Sequence, residues 1–241
     1  MTIKRQLIGT GKMAKIYVDE GFAFKVFPDG YPSEWLVHEV NVQNEVRTRT
    51  NILIPEAELL TQQREIKMTY LQGGTLADRM RKEKYKGALE DLVELQLSIY
   101  QYEDLDLPQS HETFEYQIRE SQLDKCLKEK GLGILQQIDK KHLLCHYDFH
   151  FLNILYDEPN YYVIDWGQAK LGNPILDIAR TYVVLKQYAQ RLANKYLQLI
   201  VSKGAFKLEE VQGAIPLMAI LRLLDADASD FQAQLLAMAQ T

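Results

Sequence analysis

His146-Tyr147-Asp148-Phe149-His150-Phe151-Leu152-Asn153 is followed, twelve residues after its asparagine, by Asp165-Trp166-Gly167. Between them lie Ile154-Leu155-Tyr156 and Tyr161-Tyr162-Val163-Ile164, split by a polar segment. Apolar, β-rich runs bounded by turn residues predict two short strands. A loop feeding such a hairpin can set Asp148, Asn153 and Asp165 on one wall. Asp148 is suited to accept a hydrogen bond from a substrate hydroxyl. Asn153 and Asp165 offer the oxygen ligands that a hard divalent cation takes. A polar loop with a capping aspartate and a turn asparagine would explain either half alone. It does not explain both halves at this separation.

Outward from this stretch, the first third reads as strands with one helix. Gly9 and Gly11 make a turn before Lys15–Val18, and GFAFKVF follows. In FAFKVF, Ala23, Lys25 and Phe27 share one face, and Phe22, Phe24 and Val26 the other. YPSEWLVHEVNVQNEVRTRT predicts a helix with Ser33 as its N-cap. Asn51–Leu71 reads as strands joined by a polar turn. A short connector at Leu71–Gly74 then leads into helical periodicity. ALEDLVELQLSIYQYE is one helix, and FEYQIRESQLDKCLKEKG reads as another, stopped by Gly131. From Ile175 the chain is helical almost to its end. The expectation is an α+β, bilobal chain with residues 1–72 forming a strand-rich lobe and 73–241 a helical lobe. Ligands bind preferentially between such lobes.

The 241 residues are 46% hydrophobic and 25% charged, with a formal net charge of −5, which is ordinary for a folded domain. No basic excess exists to neutralise nucleic-acid phosphates. Two cysteines, Cys126 and Cys145, make neither a disulfide framework nor a zinc motif. The N-terminal MTIKRQLIGTGKMAKIYV lacks the apolar core of a signal peptide, and no apolar run spans a bilayer. These features predict a monomeric cytoplasmic protein that binds neither membrane nor nucleic acid.

HYDFHFLNIL resembles the HGDLHPGNIL loop of the aminoglycoside phosphotransferase and choline kinase superfamily, small-molecule kinases with a protein-kinase-like fold. VIDWGQAKLGNPILDIA is similar to its Asp-Trp segment followed by Gly-x-Pro-x-x-Asp-x-Ala, here Gly172, Pro174, Asp177 and Ala179. Tyr147 and Trp166 stand where protein kinases carry Arg and Phe. The resemblance implies an ATP- and Mg²⁺-dependent phosphotransferase acting on a small-molecule hydroxyl, with GTP as an alternative donor. It makes Asp148 the catalytic aspartate, Asn153 and Asp165 the metal ligands, and Asp177 a buried support of the catalytic loop. Tyr147 replaces the usual Gly and Phe151 the usual Pro, which would narrow the space beside Asp148.

The resemblance extends to LIGTGKMAKIY, a strand-turn-strand over the phosphates in which Gly9 and Gly11 permit close backbone approach. Ala14 replaces the third glycine. Lys25 is either an edge-strand charge or the ligand of the α- and β-phosphates, and its place after the turn favours the latter. Glu34, Glu39 and Glu45 are its candidate partners. Glu39 follows Trp35 and Leu36 and precedes Val42 on the buried stripe, where a carboxylate needs a partner. MTYLQGGTL resembles the family's hinge, placing Met68, Thr69, Tyr70 and Leu71 against adenine. His150 is either structural or a substrate contact. Asp225, Asp227 and Asp230 could hold a cationic acceptor, or cap a solvated helix end. The reading from another class is a nucleotide-binding pseudokinase without turnover.

Overall fold

The computed structural model describes residues 5–11 and 13–241. Residues 1–4 of the amino-terminal stretch and Lys12 of the glycine-containing turn lie outside the described residues. The chain forms two compact units. One comprises the residues up to Lys84 with Phe151–Gln168, and the other Tyr85–His150 with Ala169–Thr241.

The first unit is built on five antiparallel strands: β1 (Gln6–Thr10), β2 (Lys15–Asp19), β3 (Phe22–Val26), β4 (Ala57–Leu60) and β5 (Glu65–Thr69). Their order is β1-β2-β3-β5-β4. Asp19 pairs with Phe22 across a two-residue turn whose Glu20 and Gly21 both have positive φ, 45° and 81°. Turns of that hand match the twist of the strands they join.

Helix α1 (Ser33–Arg49) packs Leu36 and Val40 with Ala14, Phe27, Ala57 and Ile66 in one core cluster. Its N-cap position is Pro32, extended at φ −61° and ψ 128°, with no side-chain cap. Ser33 is thus the first helical residue and not the cap, because the proline ring already fixes the entry. Trp35 is 54% exposed, so the buried stripe runs through Leu36, Val40 and Gln43 without it. Near its end α1 is stitched to the strands: Gln43 Nε2 donates to Pro55 O at 2.8 Å and Asn44 Nδ2 to Ala57 O at 3.1 Å.

A second sheet in this unit has the order β6-β8-β9, from β6 (Gly74–Thr75), β8 (Ile154–Asp157) and β9 (Asn160–Val163). Gly73 must be glycine, since a Cβ there would overlap the carbonyl of Tyr156. Thr75 then caps α2 (Leu76–Lys82) by accepting from the Asp78 N–H at 3.0 Å.

The second unit contains α3 (Ala88–Ile99), α4 (Ser110–Glu120), α5 (Lys125–Gln137), α6 (Pro174–Tyr188), α7 (Gln190–Gly204), α8 (Leu208–Arg222) and α9 (Gln232–Gln240). It also holds the antiparallel pair β7 (Leu143–Cys145) and β10 (Lys170–Gly172). The single helix expected around FEYQIRESQLDKCLKEKG is two. The chain breaks at Ser121–Asp124, and Asp124 caps α5 by accepting from the Leu127 N–H at 2.9 Å. Gly131 lies inside α5, where a Cβ would sit 3.2 Å from Ile118 and 3.5 Å from Ile220. It permits a close helix contact instead of ending the helix. Among the described residues no helix is long and apolar enough to cross a membrane.

Candidate active site

In the first unit, β3 and α1 bring two opposite charges together. Lys25 Nζ donates to Glu39 Oε1 at 2.6 Å and to Asp165 Oδ1 at 3.2 Å. Burial pulls the Lys25 ammonium down, but the Asp165 and Glu39 carboxylates outweigh it and the net shift is upward. Burial pushes Glu39 up, opposed by Lys25 and reinforced by Asp165. Both shifts are upward, and we take Lys25 as the fixed cation because two carboxylates share it. Tyr31 packs on Phe27 at 4.7 Å between ring centroids. Glu39 and Asp165, after burial, help push its phenol up, so it stands in the field of this group.

The hairpin of β8 and β9 sets the remaining oxygens. Ile154 pairs with Val163, and the Ile164 N–H donates to Asn153 O at 3.0 Å. The ends of the hairpin therefore place Asn153 beside the Ile164–Asp165 peptide. Asp165 has φ 64°, a left-handed conformation that costs a non-glycine residue about 1 kcal/mol or more. Trp166 anchors the next position, fully buried, with Nε1 donating to Val163 O at 3.0 Å. The Asp165 side chain remains 45% exposed. The exposed Asp165 carboxylate offers the hard oxygen that Mg²⁺ takes, and Asn153 could add a neutral amide oxygen, with water and phosphate oxygens as the other ligands. Among the described residues no group of three or more His, Cys, Asp or Glu forms a metal cluster.

In the glycine-containing turn, Gly11 N–H donates to Ala14 O at 2.9 Å. Ala14, at the third glycine position, turns its methyl into the core cluster. Met68 packs on that same cluster. The N–H groups of Thr69 and Tyr70 donate to Glu56 O at 3.1 Å and Gly21 O at 3.2 Å. Of the three hinge amides, two are thus engaged within the sheet, and Leu71 carries the third.

In the second unit, the His146–His150 stretch is held from beneath. Tyr147 has φ 61°, and its N–H donates to Asp177 Oδ1 at 2.6 Å. The other oxygen, Oδ2, accepts from Tyr100 OH at 2.8 Å and Gln96 Nε2 at 3.1 Å. Tyr196 OH completes the buried network by donating to Gln96 Oε1 at 2.6 Å. His146 is fully buried and its Nδ1 accepts from the Asp148 N–H at 3.2 Å.

The Tyr147 ring does not stand beside Asp148 as its size suggested. It is buried and meets Phe114 edge-on at 5.0 Å between ring centroids. The space it uses exists because residue 172 is glycine: a Cβ there would strike Tyr147 OH and Ser110 Oγ. Phe151 is buried as well, in the first unit, where its carbonyl accepts from the Ala77 N–H at 3.1 Å.

His150 Nε2 lies 3.6 Å from Asp148 Oδ1. Burial would push the Asp148 carboxyl up, but His150, Arg180 and His146 together hold it down at about 2. Arg180 has no counterpart in the sequence reading. Its spacing, one helical turn after Asp177, was the available signal. Lys170 was missed too. It lies over the rings of Tyr147 and Phe114, 5.7 and 5.9 Å from their centroids. Burial, with Arg180 adding to it, pulls Lys170 down to about 8.

The acidic run near the C-terminus is not an open patch. Asp225 Oδ2 accepts from both Arg180 and Arg222, the latter at 2.9 Å, and Asp227 is gripped by both terminal nitrogens of Arg222. Their charges are spent inside the chain, so a cationic ligand would have to compete with two guanidinium groups. Asp230 lies apart from these pairs, exposed in the 3₁₀ turn Ala228–Phe231.

The sequence matches the model of the phosphotransferase enzyme family over residues 19–204. No curated protein sequence matches it. Among solved structures, a thermostable aminoglycoside phosphotransferase in ternary complex with AMP-PNP and hygromycin B is similar, with a TM-score of 0.70 at 14% identity over 98% of this chain and 93% of that one. A choline/ethanolamine kinase family protein from Mesorhizobium loti has a TM-score of 0.66 at 13% identity, covering 100% and 89%. Choline kinase LicA from Streptococcus pneumoniae has a TM-score of 0.66 at 12% identity, covering 98% and 92%.

Proposed function

Because this chain belongs to the phosphotransferase enzyme family, we propose that it transfers the γ-phosphoryl group of ATP to a hydroxyl of a small molecule. The observation that carries the reading is the Lys25–Glu39–Asp165 group, a cation held between two carboxylates where phosphates and their metal would meet. Lys25, oriented by Glu39, binds the α- and β-phosphates. The turn at Gly9 and Gly11 covers them. Adenine lies against Met68 and the Thr69–Tyr70–Leu71 hinge, and Leu71 supplies the amide donor. Residues 1–72 then hold the nucleotide contacts, and 73–241 the metal ligands and the acceptor machinery. Asp165 and Asn153 would hold Mg²⁺, which when bound neutralises phosphate charge.

In the transfer, the acceptor oxygen bonds to the γ-phosphorus as the bond to the bridging oxygen breaks, and ADP leaves with that electron pair. The hydroxyl proton passes to Asp148 or to the transferred phosphoryl oxygens. A carboxylate held at about 2 is a weak base, so Asp148 works first by orienting the hydroxyl. A cytoplasmic setting fits, since the reaction draws on ATP and both cysteines are free thiols. The protein acts as a monomer without nucleic acid or membrane.

The experiment is an assay of ATP consumption against hydroxylated metabolites and aminoglycosides, with Asp148→Asn as control. Turnover that falls about 10²–10⁴-fold in that variant, with Mg·ATP affinity retained, is expected. Tight Mg·ATP binding without any accepted hydroxyl would leave a pseudokinase instead.

A further inference from the structure

Asp165-Trp166-Gly167 belongs to the first unit, as α1 does. Two consecutive residues of α1 reach its two ends, one of them through Lys25. Glu39 Oε1 accepts from Lys25 Nζ at 2.6 Å, and the same nitrogen donates to Asp165 Oδ1 at 3.2 Å. His38 Nε2 lies 3.2 Å from Gly167 O. A carbonyl oxygen only accepts, so Nε2 carries the proton of this bond. Gly167 also faces the helix at close quarters: a Cβ on it would stand 3.5 Å from Glu39 Cγ.

The three residues are not held in the same way. Trp166 is locked by burial and by its bond to Val163 O. Asp165 sits at φ 64°, a conformation that persists only where the surroundings over-determine it. Gly167 has no side chain to pack, and a glycine backbone is the most permissive of all. An anchor on its carbonyl therefore closes the turn from the far side and limits how far the Asp165 carboxylate can swing. The His38 contact is exposed, so its loss should change stability little and show instead in the placing of Asp165. We propose that His38 is a positioning residue, which through the Gly167 carbonyl fixes the Asp165 carboxylate for the Mg²⁺ of Mg·ATP. This rests on the phosphotransferase reading above. Groups that orient a metal ligand without touching the metal are typically worth about 10–100-fold in metal affinity.

The test compares the full-length wild type with His38→Ala and with His38→Gln, whose amide N–H can replace that of the imidazole. ATP is titrated calorimetrically across a series of Mg²⁺ concentrations and in EDTA. His38→Ala should need about ten-fold more Mg²⁺, or more, to strengthen ATP binding to half its limit. Its affinity for ATP in EDTA and its melting temperature should match the wild type, and His38→Gln should stay close to wild type throughout. An unchanged Mg²⁺ requirement in His38→Ala overturns the proposal. So does a loss of ATP affinity that is equal in EDTA, or a His38→Gln as impaired as His38→Ala. Amide hydrogen exchange over residues 163–168 without nucleotide should quicken in His38→Ala and not in His38→Gln; unchanged exchange in His38→Ala also overturns it. A wild type that binds no ATP at any Mg²⁺ concentration would sink the phosphotransferase assignment, while the exchange measurement still decides whether His38 holds the turn.

Discussion

Asp177 Oδ1 accepts the backbone N–H of Tyr147 at 2.6 Å and holds that residue at φ 61°, one position before Asp148. A tyrosine in this conformation costs about 1–3 kcal/mol. It persists because a buried carboxylate, itself fixed by Tyr100 and Gln96, over-determines the backbone. The Tyr147–Asp148 backbone is thus positioned from the interior of the second unit.

Tyr147→Gly sets two effects against each other. It relieves the left-handed strain, a gain of about 1 kcal/mol. It also deletes a buried ring packed on Phe114, a loss of about 3–5 kcal/mol. Packing wins, and the variant should be destabilised by about 2–4 kcal/mol in urea unfolding. An unchanged or raised midpoint would show that strain dominates.

Lys25→Met should cost about 3 kcal/mol, because it leaves Glu39 buried beside Asp165 without its cation. Adding Glu39→Leu should restore much of that stability, since a well-packed apolar pair can replace a buried ion pair. A double variant no more stable than the single one would contradict the pairing energetics. Nucleotide affinity should stay low in both.

Asp148 has a depressed pKa of about 2. Its contribution to stability is therefore complete above the unfolded value of about 4 and is lost as pH falls through about 2. It stays ionised across the neutral range, so it should not produce an acid limb in kcat/KM above about pH 5. Profiles of activity against pH would test this. An acid limb with an apparent pKa near 6 that Asp148→Asn removes would refute the assignment.

Lys170 has the opposite sign of linkage. Its folded pKa of about 8 lies below the ordinary 10.5. Between those values the unfolded chain binds more protons, so stability rises with pH across that window. At neutral pH the buried ammonium costs up to about 3 kcal/mol. Lys170→Met should therefore be more stable than wild type near pH 7, and the gap should close toward about pH 10. Melting temperatures across that range decide it. A variant less stable at neutral pH would mean that its contacts outweigh the burial of charge.

The sequence by itself determined what depends on local spacing. The residues between Asn153 and Asp165 can only close as a hairpin, which sets those two side by side. The stripe of α1 was enough to choose Glu39 as the partner of Lys25, because a carboxylate flanked by Leu36 and Val42 must be paired. Only the tertiary structure decided what depends on residues distant in the chain. It turned Tyr147 inward over Gly172, left Trp35 at the surface, and broke the helix before α5. It also gave Asp225 and Asp227 to Arg180 and Arg222. Tyr147 meets Gly172, and Asp225 meets Arg180, across segments tens of residues apart, and periodicity along one helix or strand carries no record of such contacts.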